Sequence, residues 1–491
     1  MTSEALQRVR DFEAEFRRCA DPERPLFHFT APIGWLNDPN GFSLYKGEYH
    51  LFFQYHPFNT HWGPMHWGHA KSKDLIRWEY LPAALAPDAP YDKDGCFSGS
   101  AIELPDGRQL LLYTGIHNSR RADGVVDCLQ QQCVAVGDGV DFEKLESNPV
   151  LDISDLPDGY SEIDFRDPKL WREGDKYYAV ISSRPPDGSG SILLYESEDC
   201  FRWRFVTVLA MCRNEYGKMW ECPDFFPLDG RQVLFVSPMQ MMRDGLEFHA
   251  GYGNMAIIGD YDKTNHAFSR QQVQAVDYGL DFYAHQTLET PDGRRVMIAW
   301  MQNWATVQNQ KENIRLFGQM TLPRELSIRD GRLYQNPVRE LEQYRGKCTR
   351  YEKMRLNGTC TLEGVQGRVM DLTVNVSSCG DRLYQRFFLT VAHDRTHGAE
   401  IRYTPQDGVL RIERSASGGR FDIVHHRKFQ TSGGGSVKLR ILMDRSCVEL
   451  FVNDGAQAAS FMLYDEEEAD GVLFSADGNV MLDVEHYTLS I

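Results

Sequence analysis

The chain has 491 residues, more than one hydrophobic core usually serves, so two domains are expected. A net charge of −17 with no basic run excludes a nucleic-acid partner. No stretch approaches the ~18 consecutive apolar residues of a membrane span, and eleven irregularly spaced cysteines suit reduced thiols better than a disulfide framework.

Residues 1–25 read as a leader with a short amphipathic helix. They lack the apolar core of a secretory signal, and their carboxylates argue against a transit peptide, so a cytoplasmic protein is expected. From there to residue 336 one unit recurs: a polar turn centred on glycine, followed by an aromatic or β-branched strand. It appears around Gly47, Gly107, Gly174, Gly230 and Gly293, at spacings of 60, 67, 56 and 63 residues. Each unit predicts a hairpin, and a repeat of about 60 residues holds roughly four strands. A second element keeps the same beat: Ser72-Lys73-Asp74-Leu75-Ile76-Arg77-Trp78 returns as Ser197-Glu198-Asp199-Cys200-Phe201-Arg202-Trp203. Four-stranded units repeated in this way predict a five-bladed β-propeller over residues 26–336.

Asn336-Pro337 then suits a helix N-cap and first turn, which predicts a helical connector over 337–347. From 348 to 491 the pattern is period-2 strands, such as Met370 to Val376 and Cys447 to Val452, so the second domain is expected to be a β-sandwich. The fold class is therefore all-β: a five-bladed propeller followed by a C-terminal β-sandwich.

Propeller chemistry sits where the innermost strands converge. Three carboxylate motifs fall at one phase of three repeats: Asn37-Asp38-Pro39, Arg166-Asp167-Pro168 and Glu221-Cys222-Pro223-Asp224 lie seven to nine residues ahead of their glycines. Convergent acids suit a glycosidase, in which one carboxylate attacks and another holds a proton. Two carboxylates about 5 Å apart repel by about 3 kcal/mol at an effective dielectric near 20, enough to separate their pKa values by about two units. A single Asp-Pro would be read as a turn cap; three at one phase point to chemistry.

These motifs, with Trp35-Leu36, Trp62-Gly63-Pro64-Met65-His66-Trp67-Gly68, Phe97-Ser98-Gly99, Asp281-Phe282-Tyr283 and Leu322-Pro323-Arg324-Glu325-Leu326, resemble the ordered motif series of glycoside hydrolase family 32. Val448-Glu449-Leu450-Phe451-Val452-Asn453-Asp454-Gly455 extends the resemblance into the second domain. Leu36, where methionine is usual, is the one departure noticed, and it conserves volume. The resemblance implies a retaining β-fructofuranosidase acting on sucrose, sucrose 6-phosphate or short fructo-oligosaccharides, without cofactor or metal. Asp38 would be the nucleophile, Glu221 the acid/base and Asp167 a carboxylate binding fructose hydroxyls. Asn37, Gln54, Trp62, Phe97, Ser98, Arg166, Tyr283 and Trp300 would line the pocket, with Trp62 and Trp300 suited to stacking on sugar. Cys222 is expected to pack beside the acids.

The histidines at 56, 61, 66 and 69 lack a metal-ligand pattern. Gly251-Tyr252-Gly253-Asn254 fits a dinucleotide fingerprint only superficially. A fructosyltransferase on the same scaffold, an inverting arabinan- or xylan-cleaving hydrolase and a non-catalytic interaction propeller are the competing readings. The expected partner is a saccharide; the oligomeric state and the phosphorylation of the substrate stay open at this point.

Overall fold

A computed structural model describes residues 2–17, 24–120, 124, 126–307, 314–417, 425–464 and 468–491. The five recurrent glycines each lie in the turn that joins the first two strands of a sheet. Their φ angles run from 61° to 82°, and a Cβ at any of them would meet nothing within 4 Å. Glycine is therefore there for backbone handedness alone.

Five four-stranded antiparallel sheets follow one another. Their first strands are Gly34–Tyr45 (blade I), Gly95–Glu103 (II), Phe165–Glu173 (III), Trp220–Leu228 (IV) and Tyr283–Glu289 (V). These first strands contact one another around a closed ring, I to V and back to I. The ring is the predicted propeller. It is sealed by Leu316–Phe317, a short strand from the segment between the second and third strands of blade V. This strand runs parallel to Gly34–Trp35 on the inner edge of blade I.

The 125-residue echo is a repeated turn. Ser72 Oγ accepts from the backbone N–H of Asp74 and Leu75, and Asp74 Oδ1 from those of Ile76 and Arg77. Ser197 and Asp199 do the same for residues 199 to 202. Leu75 and Cys200 each take the left-handed conformation that this turn imposes, φ 65° and 68°. The leader carries a helix, Glu4–Ala14, capped by Ser3 Oγ accepting from Leu6 N at 3.1 Å; its Leu6 and Val9 are buried.

The connector is a 3₁₀ helix, Arg339–Tyr344, started by Val338 without a side-chain cap. Asn336 and Pro337 do not begin it. They end the last strand of blade V, paired with Glu325 and Arg324, and Asn336 Nδ2 reaches the Asp454 carbonyl of the second domain at 3.0 Å. The strand ladder claims these residues before a helix can.

The C-terminal strands form a β-sandwich whose layers are joined through one 19-residue strand, Gly471–Leu489. It pairs with Arg345–Cys360 on one side and with Val369–Ser378 and then Arg386–His393 on the other. One apolar cluster runs from Val180, Trp220 and Phe225 of the propeller into Leu372, Leu389 and Leu450 of the sandwich.

Buried ions stitch the same seam. Arg324 donates to Asp277 and to Glu449, all fully buried. Glu449 in turn holds His28 Nε2 at 2.9 Å, while Asp444 faces His28 Nδ1 at 3.1 Å. Arg414 pairs with Asp281. Gly279 makes the closest approach: a Cβ there would lie 2.1 Å from the Ser460 carbonyl oxygen. Arg324, Asp281 and Glu449 belong to the motifs that carry the family resemblance, and their work is to dock the domains.

Candidate active site

Each inner strand breaks register with its neighbour once at the axis end: between Leu36 and Pro39, Phe97 and Gly99, Arg166 and Lys169, Glu221 and Asp224, and Tyr283 and Gln286. A bulge re-aims a side chain that a regular pleat would send to a sheet face. Asp167, Cys222 and Ala284 sit in these breaks at φ 61°, 51° and 53°. Non-glycine residues held there store roughly 1–2 kcal/mol each, strain that gathers at functional sites.

The bulges deliver their side chains to one pocket of ≈ 260 Å³. Asn37, Asp38, Gln54, Trp62, Phe97, Ser98, Arg166, Asp167, Glu221 and Tyr283 all line it. Asp38 Oδ2 accepts from Ser98 Oγ at 2.7 Å and Oδ1 from Asn37 Nδ2 at 2.9 Å. Asn37 is itself fixed by Trp35 Nε1 on its amide oxygen at 2.7 Å. Both carboxylate oxygens are thus held by donors from blades I and II. Burial pushes the Asp38 carboxyl up, Ser98 and Asn37 hold it down, and the charge of Glu221 adds to the rise.

Glu221 is gripped from two blades. Arg166 donates to Oε1 through Nη2 at 2.9 Å and Nε at 3.1 Å, and the Tyr283 hydroxyl donates to Oε2 at 2.7 Å. Arg166 is steadied by Asp164 at 3.1 Å and Gln130 at 3.2 Å. Asp167 receives the Cys222 backbone N–H at 3.0 Å. Its carboxyl is pushed up to about 7: burial raises it, Arg166 opposes, and the charges of Glu221 and Asp38 raise it further. The Asp167 carboxyl therefore holds a proton part of the time near neutral pH.

Cys222 lies between two of them, its Sγ 3.6 Å from Asp38 Oδ2 and 3.8 Å from Asp167 Oδ2. Burial and these carboxylates drive the thiol well above its usual range, so it stays protonated. Asp224, from the same motif, turns away from the pocket. It accepts from Thr287 N at 2.6 Å and pairs with Lys169 at 3.3 Å, tying blades III, IV and V beneath the acids.

Trp300 does not reach the pocket. It is fully buried, packed against Trp35 and, edge-on at 5.0 Å, against Trp304. Trp304 lines the cavity instead, because the chain leaves the strand at Trp300 and turns toward blade I to close the ring. Met239 and Tyr252 also line it without having been expected; Tyr252 comes from the segment that superficially matched a nucleotide fingerprint. Among the described residues no group of three or more His, Cys, Asp or Glu side chains is arranged to hold a metal. His66 bonds the Pro64 carbonyl at 3.0 Å, and His69 pairs with His50 at 2.9 Å.

Comparison with known proteins agrees with the fold. The family model described as the glycosyl hydrolases family 32 N-terminal domain matches residues 28–337, and that of the family's C-terminal domain matches residues 340–490. The chain is 37% identical to a raffinose invertase of Escherichia coli, over 93% of each chain. It is 36% identical to a sucrose-6-phosphate hydrolase of Zymomonas mobilis, over 94% of this chain and 90% of the relative. A solved β-fructofuranosidase of Bombyx mori superposes with a TM-score of 0.84 at 32% identity, covering 100% of this chain and 99% of that one.

Proposed function

The chain belongs to the glycosyl hydrolases family 32, and from that premise we propose that it cleaves terminal β-fructofuranosides by a retaining double displacement in which Asp38 attacks, Glu221 moves the proton and Asp167 binds substrate hydroxyls. The substrate class is sucrose, its phosphate or short fructo-oligosaccharides.

The observation that carries this reading is the meeting of Asp38, Asp167 and Glu221, from blades I, III and IV, in one pocket. Their partners divide the labour. Ser98 and Asn37 occupy the outer lone pairs of Asp38 and orient its carboxylate for attack on the anomeric carbon. Arg166 and Tyr283 fix Glu221 so that it can protonate the departing oxygen and later deprotonate the incoming water. Asp167 offers acceptor oxygens to fructose hydroxyls, bonds that strengthen as positive charge develops on the ring. A non-catalytic propeller has no use for two buried acids, Asp38 and Asp167, whose carboxyls are pushed up by burial and by the charge of Glu221 beside them. Trp62, half exposed on the rim, and Trp304 provide apolar faces for sugar rings.

Cytoplasmic residence is part of the proposal, supported by ten described cysteines that are all free thiols. No helix among the described residues is long and apolar enough to cross a membrane.

The decisive variant is Asp38→Asn. Turnover of sucrose or sucrose 6-phosphate falls by about 10⁴-fold or more while the thermal midpoint stays near wild type. A variant that keeps its rate removes the mechanism. Equal release of fructose and of the other sugar identifies water as acceptor; a deficit of fructose identifies transfer.

A further inference from the structure

The helix Glu4–Ala14 carries two stripes that do different work. Leu6, Val9 and Glu13 are buried on one; Arg8 and Phe12, four residues apart, share the other. The first stripe fixes the helix to blade I. Leu6 and Val9 join the apolar cluster that holds Trp35, Tyr55 and Tyr283. Glu13 Oε1 accepts from Ala83 N at 2.8 Å and Arg10 Nε donates to Ala83 O at 2.9 Å, so both backbone groups of Ala83 on the outer strand Trp78–Leu85 are paired. Arg10 also donates to Asp141 of blade II.

The second stripe meets residues 57–65, the loop that joins the second and third strands of blade I and carries Trp62 to the pocket rim. The Phe12 and Phe58 rings lie 5.1 Å apart, and the Arg8 guanidinium sits 5.1 Å over the Phe58 ring. His66 meets the same ring edge-on at 6.1 Å. The loop is braced within itself, so it moves as one piece. His56 Nδ1 donates to the His61 carbonyl at 2.9 Å, and Asn59 Oδ1 accepts from His61 N at 3.1 Å. Gly63 lies so close to the His56 ring that a Cβ would be 2.5 Å from it. Trp62 itself is 50% exposed, and its ring partner among the described residues is Phe97, edge-on at 6.1 Å. The direction of so open an indole is set by the loop beneath it.

We propose that Phe12 and Arg8 are positioning residues: by clamping Phe58 they hold the Trp62 loop in place for the sugar that departs. The inference rests on the fructoside-cleaving reading above. The acids lie at the buried end of the pocket, where the fructosyl ring must sit, so a half-exposed tryptophan at the mouth faces the second sugar. Fixing a side chain before the ligand arrives removes part of the ordering cost of binding, which lowers KM and leaves the chemical step alone.

The test is a double-mutant cycle of Phe12→Ala and Trp62→Ala, assayed on sucrose and on methyl β-D-fructofuranoside, whose departing methanol offers Trp62 no ring. Phe12→Ala raises KM for sucrose by about 3- to 10-fold at unchanged kcat. It leaves the methyl fructoside unaffected and adds nothing in the Trp62→Ala background. Phe12→Tyr keeps the ring and restores KM. An unchanged sucrose KM in either single variant, an equal rise for both fructosides, or effects that add in full overturn the proposal. Should Phe12→Ala fail to fold, Phe58→Ala, at a site 39% exposed, breaks the same clamp with the same expectations. Acrylamide quenching of tryptophan fluorescence reads the loop without substrate. It rises in Phe12→Ala and is unmoved by that substitution in a Trp62→Phe background; no rise, or one that persists there, overturns the clamp. If wild type cleaves neither fructoside, the proposed activity fails on its own terms, while quenching still decides whether the helix positions Trp62.

Discussion

The most informative single residue is Asp167, whose carboxyl is held up near 7 by burial and by two other acids. Because Asp167 in the proposed mechanism accepts from substrate hydroxyls in its ionised form, kcat/KM rises as pH climbs through about 7 and its proton is lost. Asp167→Asn removes one negative charge from the cluster. The variant, far less active, loses that acid limb from its kcat/KM profile; a limb that stays near pH 7 shows that another group titrates there. Residue identity was largely legible in the sequence here, because Asp38, Asp167 and Glu221 shared one phase relative to their glycines. Trp304 was not. It lies four residues past Trp300 on an aperiodic segment, and only the path that closes the ring turns it inward.

At the scale of elements, the hairpin glycines were the clearest signal and the bulges the most obscure. A glycine at a turn announces itself by composition, whereas a bulge exists only in the register between two strands. The glycine positions also separate conformational cost from steric cost. At Gly230, φ is 78° and nothing lies within 4 Å of a would-be Cβ. Gly230→Ala therefore destabilises by about 1–2 kcal/mol through backbone strain alone, and Gly230→Asn by less, since asparagine tolerates the left-handed region. Denaturant midpoints of the two variants test the order; equal losses would mean that side-chain crowding sets the effect. The connector illustrates the opposite failure of legibility. Asn336-Pro337 has the composition of a helix start, but pairing with Arg324 and Glu325 holds it in a strand, a tertiary constraint that local propensity does not register.

Across the whole molecule, the two domains are fastened by charges that no solvent screens. His28 stands between Asp444 and Glu449 with both ring nitrogens facing carboxylate oxygens. Burial alone would lower its pKa; the neighbouring Cys447 and the two carboxylates outweigh it and raise the pKa well above 6.5. Because the folded value lies above the unfolded one, the stabilisation is complete below about pH 6.5 and is lost as pH rises through the folded value. His28→Gln lowers stability by about 3 kcal/mol at pH 6, and its thermal midpoint declines less than that of wild type toward alkaline pH. Parallel midpoint curves for the two proteins would show that the imidazole is neutral in the seam.

The parallel pairing of Leu316–Phe317 with Gly34–Trp35 fixes when the enzyme comes into being. The strand bearing Asp38 leaves the ribosome some 280 residues ahead of the segment that lies against it. Contacts so distant in sequence form slowly. A nascent chain thus carries its reactive carboxylate long before it owns a pocket, and catalysis begins only once the circle is complete.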